Sequence, residues 1–291
     1  MLLRLILLLV VLCGYVNAAG TATIAQKPLK TIHLTLGHYG EHLAAVQEIF
    51  ETPCEDNQDY YQNNNQVAME SLLFCQALVA AGYRPIIKIK PYPIQHRLHL
   101  EINKGNIVSA GLTFWSQQHN NEVSYQSQPL IAKGQFEKGL YVLATNKTQQ
   151  NLTQLSSIQR LVGVTNQTWL NDIKAHKCLG SPTITTTSFP QMFRMIAAGR
   201  ADYLLTTFSM QPDLAQDHHG VKLKPIKNIK VVFDDSLHFL VSRQHPQGQE
   251  LADALEQGLT KLTNTGTIKR AYQAVGFYLD KTKDWQIIPC Q

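Results

Sequence analysis

Residues 160–206 read RLVGVTNQTWLNDIKAHKCLGSPTITTTSFPQMFRMIAAGRADYLLT, and the spacing of their apolar positions changes repeatedly. Arg160 to Thr165 is a compact apolar run of strand length, and Thr168 to Ala175 is spaced as a helix. Ile184 to Thr187 is a short strand. Phe189 to Ala198 is a helix ended by Gly199, and Tyr203 to Thr206 is a strand again. Strand, helix, strand, helix, strand in series is the pattern of parallel strands joined by right-handed crossovers, and it predicts an α/β architecture.

The same series occurs upstream. Lys30 to Leu36 alternates apolar and polar residues as a strand does, and Gly37-His38-Tyr39-Gly40 breaks it. Residues 52–66 are polar and asparagine-rich, which predicts a surface loop. Met69 to Ala81 reads as a helix, capped by Gly82 and stopped by Pro85. Ile86 to Lys90 alternates, Gln95 to Asn103 is a short helix closed by Gly105, and Ile107 to Trp115 and Leu140 to Ala144 are strands. Downstream, Leu237 to Ser242 is a last strand, followed by helices over Gln249 to Thr263 and Thr267 to Val275. Two such series predict two lobes, each a mostly parallel sheet flanked by helices.

The ends and the bulk composition narrow the class. Arg4, the apolar run Leu5 to Leu12 and the sequence Val16-Asn17-Ala18 have the layout of a cleavable export signal, with cleavage expected near Ala18. The run is short of the roughly 20 residues a membrane span needs. Leu12 before Cys13 argues against a lipid anchor, which wants a small residue there. The 291 residues carry a formal net charge of +5. The excess is mild, with no basic stripe and interleaved aromatics, so nucleic acid is not an expected partner. Beyond the signal, Cys54, Cys75, Cys178 and Cys290 remain. An exported chain permits two disulfides in any of three pairings, and Cys54–Cys75 with Cys178–Cys290 is the pairing favoured by position.

Five stretches then carry a resemblance. They are Asn103-Lys104-Gly105-Asn106-Ile107 with Ala110-Gly111-Leu112-Thr113, Tyr125 to Leu143, and Leu161-Val162-Gly163-Val164 with Thr168. The last two are Gly199-Arg200-Ala201-Asp202, and Leu237 to Ser242 leading to Leu262 and Gly266. In this order, over residues 30–276, the chain resembles the family 3 extracellular solute-binding proteins of bacteria, which have the two-lobed type II periplasmic-binding fold. The resemblance implies a signal peptide at 1–18, lobe one at 19–143, lobe two at 144–238, a return to lobe one at 239–276 and a tail at 277–291. It implies two hinge strands, near Tyr141 to Thr145 and Phe239 to Ser242. It also implies a periplasmic monomer that closes on a small polar or anionic ligand between its lobes, without a cofactor, and hands it to an ABC-type permease. The rival reading is a sensory or docking module without transport, and a third, less supported, is an enzyme on the same fold.

Position in that fold selects the expected ligand-binding residues: Tyr39 after the first strand, Thr113, Phe114 and Trp115 at the end of the strand before the lobe crossing, Thr168 and Trp169 where a helix opens, and Thr206 and Thr207. Amino-acid-binding members carry an Arg after the third-strand motif and an Asp after the Gly-Arg-x-Asp strand. Here Ser116-Gln117-Gln118-His119-Asn120 and Thr206-Thr207-Phe208 stand in those places. Burying a zwitterion without both charge partners is costly, so an ordinary free amino acid is not the expected ligand. Arg97 is the remaining candidate anion clamp. The histidines at 33, 38, 42, 218 and 219 lack acidic or cysteine partners at ligand spacing, so no metal site is expected. No nucleophile elbow, phosphate loop, dinucleotide fingerprint or zinc-protease helix occurs, and no catalytic residue is expected. Asp234-Asp235 reads as a surface turn, and Arg200 and Asp202 as structural residues of their turn.

Overall fold

A computed structural model of the chain describes residues 28–51, 54, 65–218 and 220–288. The expected export signal, most of the polar 52–66 loop, His219 and Cys290 lie outside the described residues. In chain order the elements begin with β1 (Lys30–Tyr39), α1 (Leu43–Glu51), α2 (Gln66–Ala80), β2 (Tyr83–Tyr92), α3 (Gln95–Asn103), β3 (Ser109–Trp115) and β4 (Ser124–Gln126). There follow β5 (Phe136–Leu143), α4 (Lys147–Gln150), α5 (Leu155–Ile158), β6 (Gly163–Asn166), α6 (Leu170–Leu179), β7 (Thr183–Thr186), α7 (Phe189–Ala197), β8 (Tyr203–Thr206) and β9 (Gln216–His218). The chain closes with β10 (Val221–Phe233), β11 (Leu237–Ser242), α8 (Gly248–Asn264), α9 (Thr267–Ala274) and β12 (Gln286–Ile288).

Two sheets result. The first has the order β2-β1-β3-β11-β4, and the second β12-β10-β5-β8-β6-β7 with β9 beside β10. Parallel pairing joins β1 with β2 and β3 and β6 with β7 and β8 in the β-α-β parts, and β10 with the tail strand β12. The returning strands β11 and β5 pair antiparallel to β3 and β8. Each sheet is therefore mixed, the first with its parallel part at one side and the second with parallel pairs at both. Pro85 and Pro91 lie inside β2, which tolerates them because β2 is an edge strand.

Local chemistry explains the helices that carry the first lobe. Asn65 accepts the Ala68 N–H at 3.1 Å and so caps α2. Met69, Leu73, Phe74 and Ala77 of α2 enter the main core, while Leu72 and Cys75 join a second cluster with Ile49 and Cys54. The Cys54–Cys75 disulfide ties this cluster together, as expected. Cys178 is also disulfide-bonded, with a partner outside the described residues.

The links between the sheets differ from the expected hinges. Tyr141 lies within β5, where it pairs with Leu204 and Pro225, and Phe239 lies within β11, where it pairs with Thr113. The chain leaves the first sheet only after Ile131, which bridges Leu237, and joins the second at Phe136, which pairs with Phe233. It returns through Asp234, Asp235 and Ser236. Both strands are hydrogen-bonded along their length within one sheet, so the expected hinge positions fall inside the sheets and not between them. A third link was not foreseen. The tail after α9 runs back so that β12 lies parallel to β10 in the second sheet.

Candidate functional site

The segment just past the carboxyl end of β3 and the first turn of α6, which follows β6, face each other at the gap between the lobes, the place where ligands bind in open α/β folds. Side chains span it directly. Gln117, just past β3, donates from Nε2 to Asn171 Oδ1 at 2.6 Å, and its Oε1 accepts from Lys174 Nζ at 2.6 Å. Asn171, in the first turn of α6, donates to Asp235 Oδ2 at 2.9 Å. Asp235 also accepts from Ser116 Oγ and from the Ser236 N–H. Asp235 is thus buried and fully engaged, which corrects its reading as a surface turn; only Asp234, paired with Lys133, is exposed.

Beneath this polar bridge lies an aromatic box. Trp115 packs at 4.8 Å from Phe136 and 5.6 Å from Phe233, and the last two rings stack at 5.5 Å. Into the box runs Lys138 of β5, its Nζ 5.2 Å from the Trp169 ring, 5.3 Å from Phe233 and 5.9 Å from Phe136. The ammonium donates to Asp172 Oδ1 at 2.7 Å, and both side chains are about nine-tenths buried. Burial drives the Asp172 carboxyl up from its ordinary value, against the pull of Lys138. His176, one turn further along α6, is pushed down to about 4, first by burial and then by the Lys138 charge.

The expected site residues divide. Trp115 and Trp169 come together around Lys138. Thr206 ends β8 opposite Gly139 of β5, close to the box, and Thr207 gives its carbonyl to Gln216. Tyr39 ends β1, half-buried, against the Leu98–Ile107 cluster. Thr113 turns inward, its N–H and hydroxyl both donating to Glu70, at 2.9 and 2.8 Å. Phe114 is buried in lobe one with Leu98 and Ile102. Thr168 is not the helix cap; its N–H and hydroxyl both go to Asn166 Oδ1, and Trp169 occupies the cap position. Arg97 pairs with Glu101 one turn along α3, at 2.8 Å. Asp202 secures the start of β8 by accepting the Val162 N–H at 2.8 Å. Sequence reading missed Lys138, Asp172 and Asn171. The available signal was a lysine in step with Phe136 on one strand, since alternate residues share a face.

No family model and no curated protein matches the chain. Solved structures do, 547 chains in all. A probable amino-acid ABC transporter extracellular-binding protein of Bacillus subtilis, YtmK, superposes with a TM-score of 0.55 at 15% identity, over 85% of this chain and 100% of its own. The periplasmic VFT2 domain of Bordetella pertussis BvgS gives 0.51 at 13%, over 71% of this chain and 81% of that domain. The BvgS periplasmic domain gives 0.52 at 11%, over 84% of this chain and 47% of that one. The chain therefore has the two-lobed periplasmic-binding-protein-like α/β fold, which amino-acid ABC transporter binding proteins and BvgS VFT2 domains share. No helix of the described residues is long and apolar enough to cross a membrane.

Proposed function

We propose that this chain is an exported, two-lobed binding protein that closes on a small polar or anionic solute and catalyses nothing. In this reading the leader is removed near Ala18, the product works in the periplasm, and its partner is an ABC-type permease or a membrane sensor. The observation that carries it is the box at the gap, to which both lobes contribute: Trp115 from one, Phe136, Lys138 and Trp169 from the other. Small-molecule sites are lined by aromatic side chains with a few placed polar groups, and the box has that composition. We take Trp115 and Trp169 as its walls and Tyr39, Thr206 and Thr207 as its rim. An ordinary free amino acid does not suit it, because the carboxylate in the box, Asp172, is already paired with Lys138, and an α-ammonium would sit beside that same lysine charge.

A second reading, a sensory or docking module without transport, draws on the Gln117–Asn171–Asp235 bridge, which joins the lobes through the chain's own side chains. Thermal-shift screening against pools of amino acids, sugars, peptides, amines and organic acids tests both. A ligand at 100 times its dissociation constant adds about 2.7 kcal/mol of stability. A shift from one non-amino-acid pool supports the first reading. Silence from every pool removes it and leaves the second.

A further inference from the structure

Two lysines are buried side by side in the second sheet, and they are satisfied differently. Lys230 of β10 lies opposite Gly139, and Lys138 of β5 lies opposite Val231. The Lys230 ammonium has three acceptors: Glu137 Oε1 at 2.7 Å, the Thr282 carbonyl at 2.9 Å and the Lys283 carbonyl at 3.5 Å. That matches the three N–H donors a lysine carries, and it holds the tail against the sheet. Lys138 has one acceptor among the described residues, Asp172, and three aromatic faces. Ring faces attract a cation, but they do not replace oxygen acceptors for a buried ammonium. Lys230 is a structural lysine. Lys138 carries two donors with no acceptor among the described residues, in a box whose wall Trp115 is only partly buried.

We infer that Lys138 is the specificity-determining residue of the gap, and that it recognises the carboxylate of a compact ligand with an apolar body and no ammonium group. The inference rests on the binding function proposed above and names its ligand class. A carboxylate oxygen accepts from the ammonium donors that Asp172 leaves unused, and the ligand body lies against Trp115 and Trp169. Asp172 stays in place. It keeps Lys138 aimed, and it repels any second anionic group on the ligand. A cationic or zwitterionic ligand brings an ammonium close to the Lys138 charge, which repels it.

Titration calorimetry with benzoate and butyrate, against benzylamine and phenylalanine of matching size, tests this. Wild-type protein should bind one or both carboxylates and neither amine. Lys138→Met alone leaves Asp172 buried without its cation, so the informative variant is Lys138→Met/Asp172→Asn, which neutralises both. It should unfold cooperatively and bind the carboxylate about 30-fold more weakly, the range for a charged hydrogen bond. Lys138→Arg should recover part of that loss. Lys230→Met should lower the melting temperature and leave the affinity of the folded protein unchanged. Undiminished carboxylate binding by the double variant overturns the assignment. So does a sugar, amine or zwitterion that binds while both carboxylates are silent, although the binding function then stands. Silence from every class removes both.

Discussion

Four donors converge on the carboxylate of Glu70, in the middle of α2: Gln66 Nε2, the Thr113 N–H, the Thr113 hydroxyl and the Tyr272 hydroxyl. Burial raises this carboxyl above its usual range, and the four donors oppose that rise. Two histidines are buried with the opposite consequence. His38, held by Ser71 at 3.2 Å, is pushed down to about 3, first by burial and then by His42, and His176 to about 4. A histidine whose folded value lies below its unfolded value of roughly 6.5 leaves stability intact above that pH. As pH falls further, the unfolded chain takes up the proton first and stability is lost down to the folded value. Glu70 and Asp172 act oppositely, because the folded state takes their proton first. The histidine effect must therefore be read as a difference between proteins. His38→Gln keeps a group at the Nε2 position and should lose about 3 kcal/mol less than wild type between pH 7 and pH 4. Urea unfolding at the two pH values measures it, and parallel losses would show that His38 does not titrate this way.

At the level of elements, the first lobe depends on how closely α8 lies on α2. A methyl group at Gly258 would stand 1.8 Å from the Ala77 carbonyl oxygen, which is rigid helix backbone. Alanine is the better helix former by about 1 kcal/mol, so intrinsic propensity alone predicts that Gly258→Ala stabilises. The contact reverses the sign. The helices must separate, and the packing of Leu255 and Leu259 on this face goes with them. We expect a loss of about 2 kcal/mol or more by thermal or urea unfolding, and an unchanged or raised melting temperature would refute the close approach. This glycine shows what a single sequence conceals. In the sequence it is a poor helix residue, and the reason for it lies 181 positions earlier. The helix over Met69 to Ala81, its glycine stop and the β-α-β series were legible because they are local patterns. The long strand β10 was not, since Pro225 and the left-handed Asn228 interrupt its alternation at a bulge. The three-residue β12 was invisible because only pairing with β10 makes it a strand. Lys138 is hidden in the sequence for the same cause: beyond Phe136 on its own strand, its burial is supplied by Asp172 and by rings from two distant segments, Trp169 and Phe233.

Across the whole molecule, the lobes are held by two kinds of contact that respond differently to mutation. One is apolar and continuous. The main core runs from Leu36 and Phe74 in the first lobe through Leu237 and Phe136 to Val231 in the second, and Phe277 of the tail packs on Phe136 and Tyr272. Cutting into it should unfold the protein. The other is the polar bridge across the gap, Lys174–Gln117–Asn171–Asp235–Ser116. Water replaces these bonds when the lobes part, so each contributes only about 1 kcal/mol to holding the gap shut. Their number is what matters. Removing two or three moves an equilibrium between narrow and wide gaps by about 30-fold or more, which is enough to change the dominant form. A Gln117→Ala/Asn171→Ala variant leaves every core residue in place. It should keep its cooperative unfolding and show a larger radius of gyration in solution scattering, and a bound ligand that touches both lobes should reverse part of the expansion. If the variant and the wild type scatter identically, the bridge does not govern the gap, and the hinge at 132–135 and 234–236 is held by the apolar core alone.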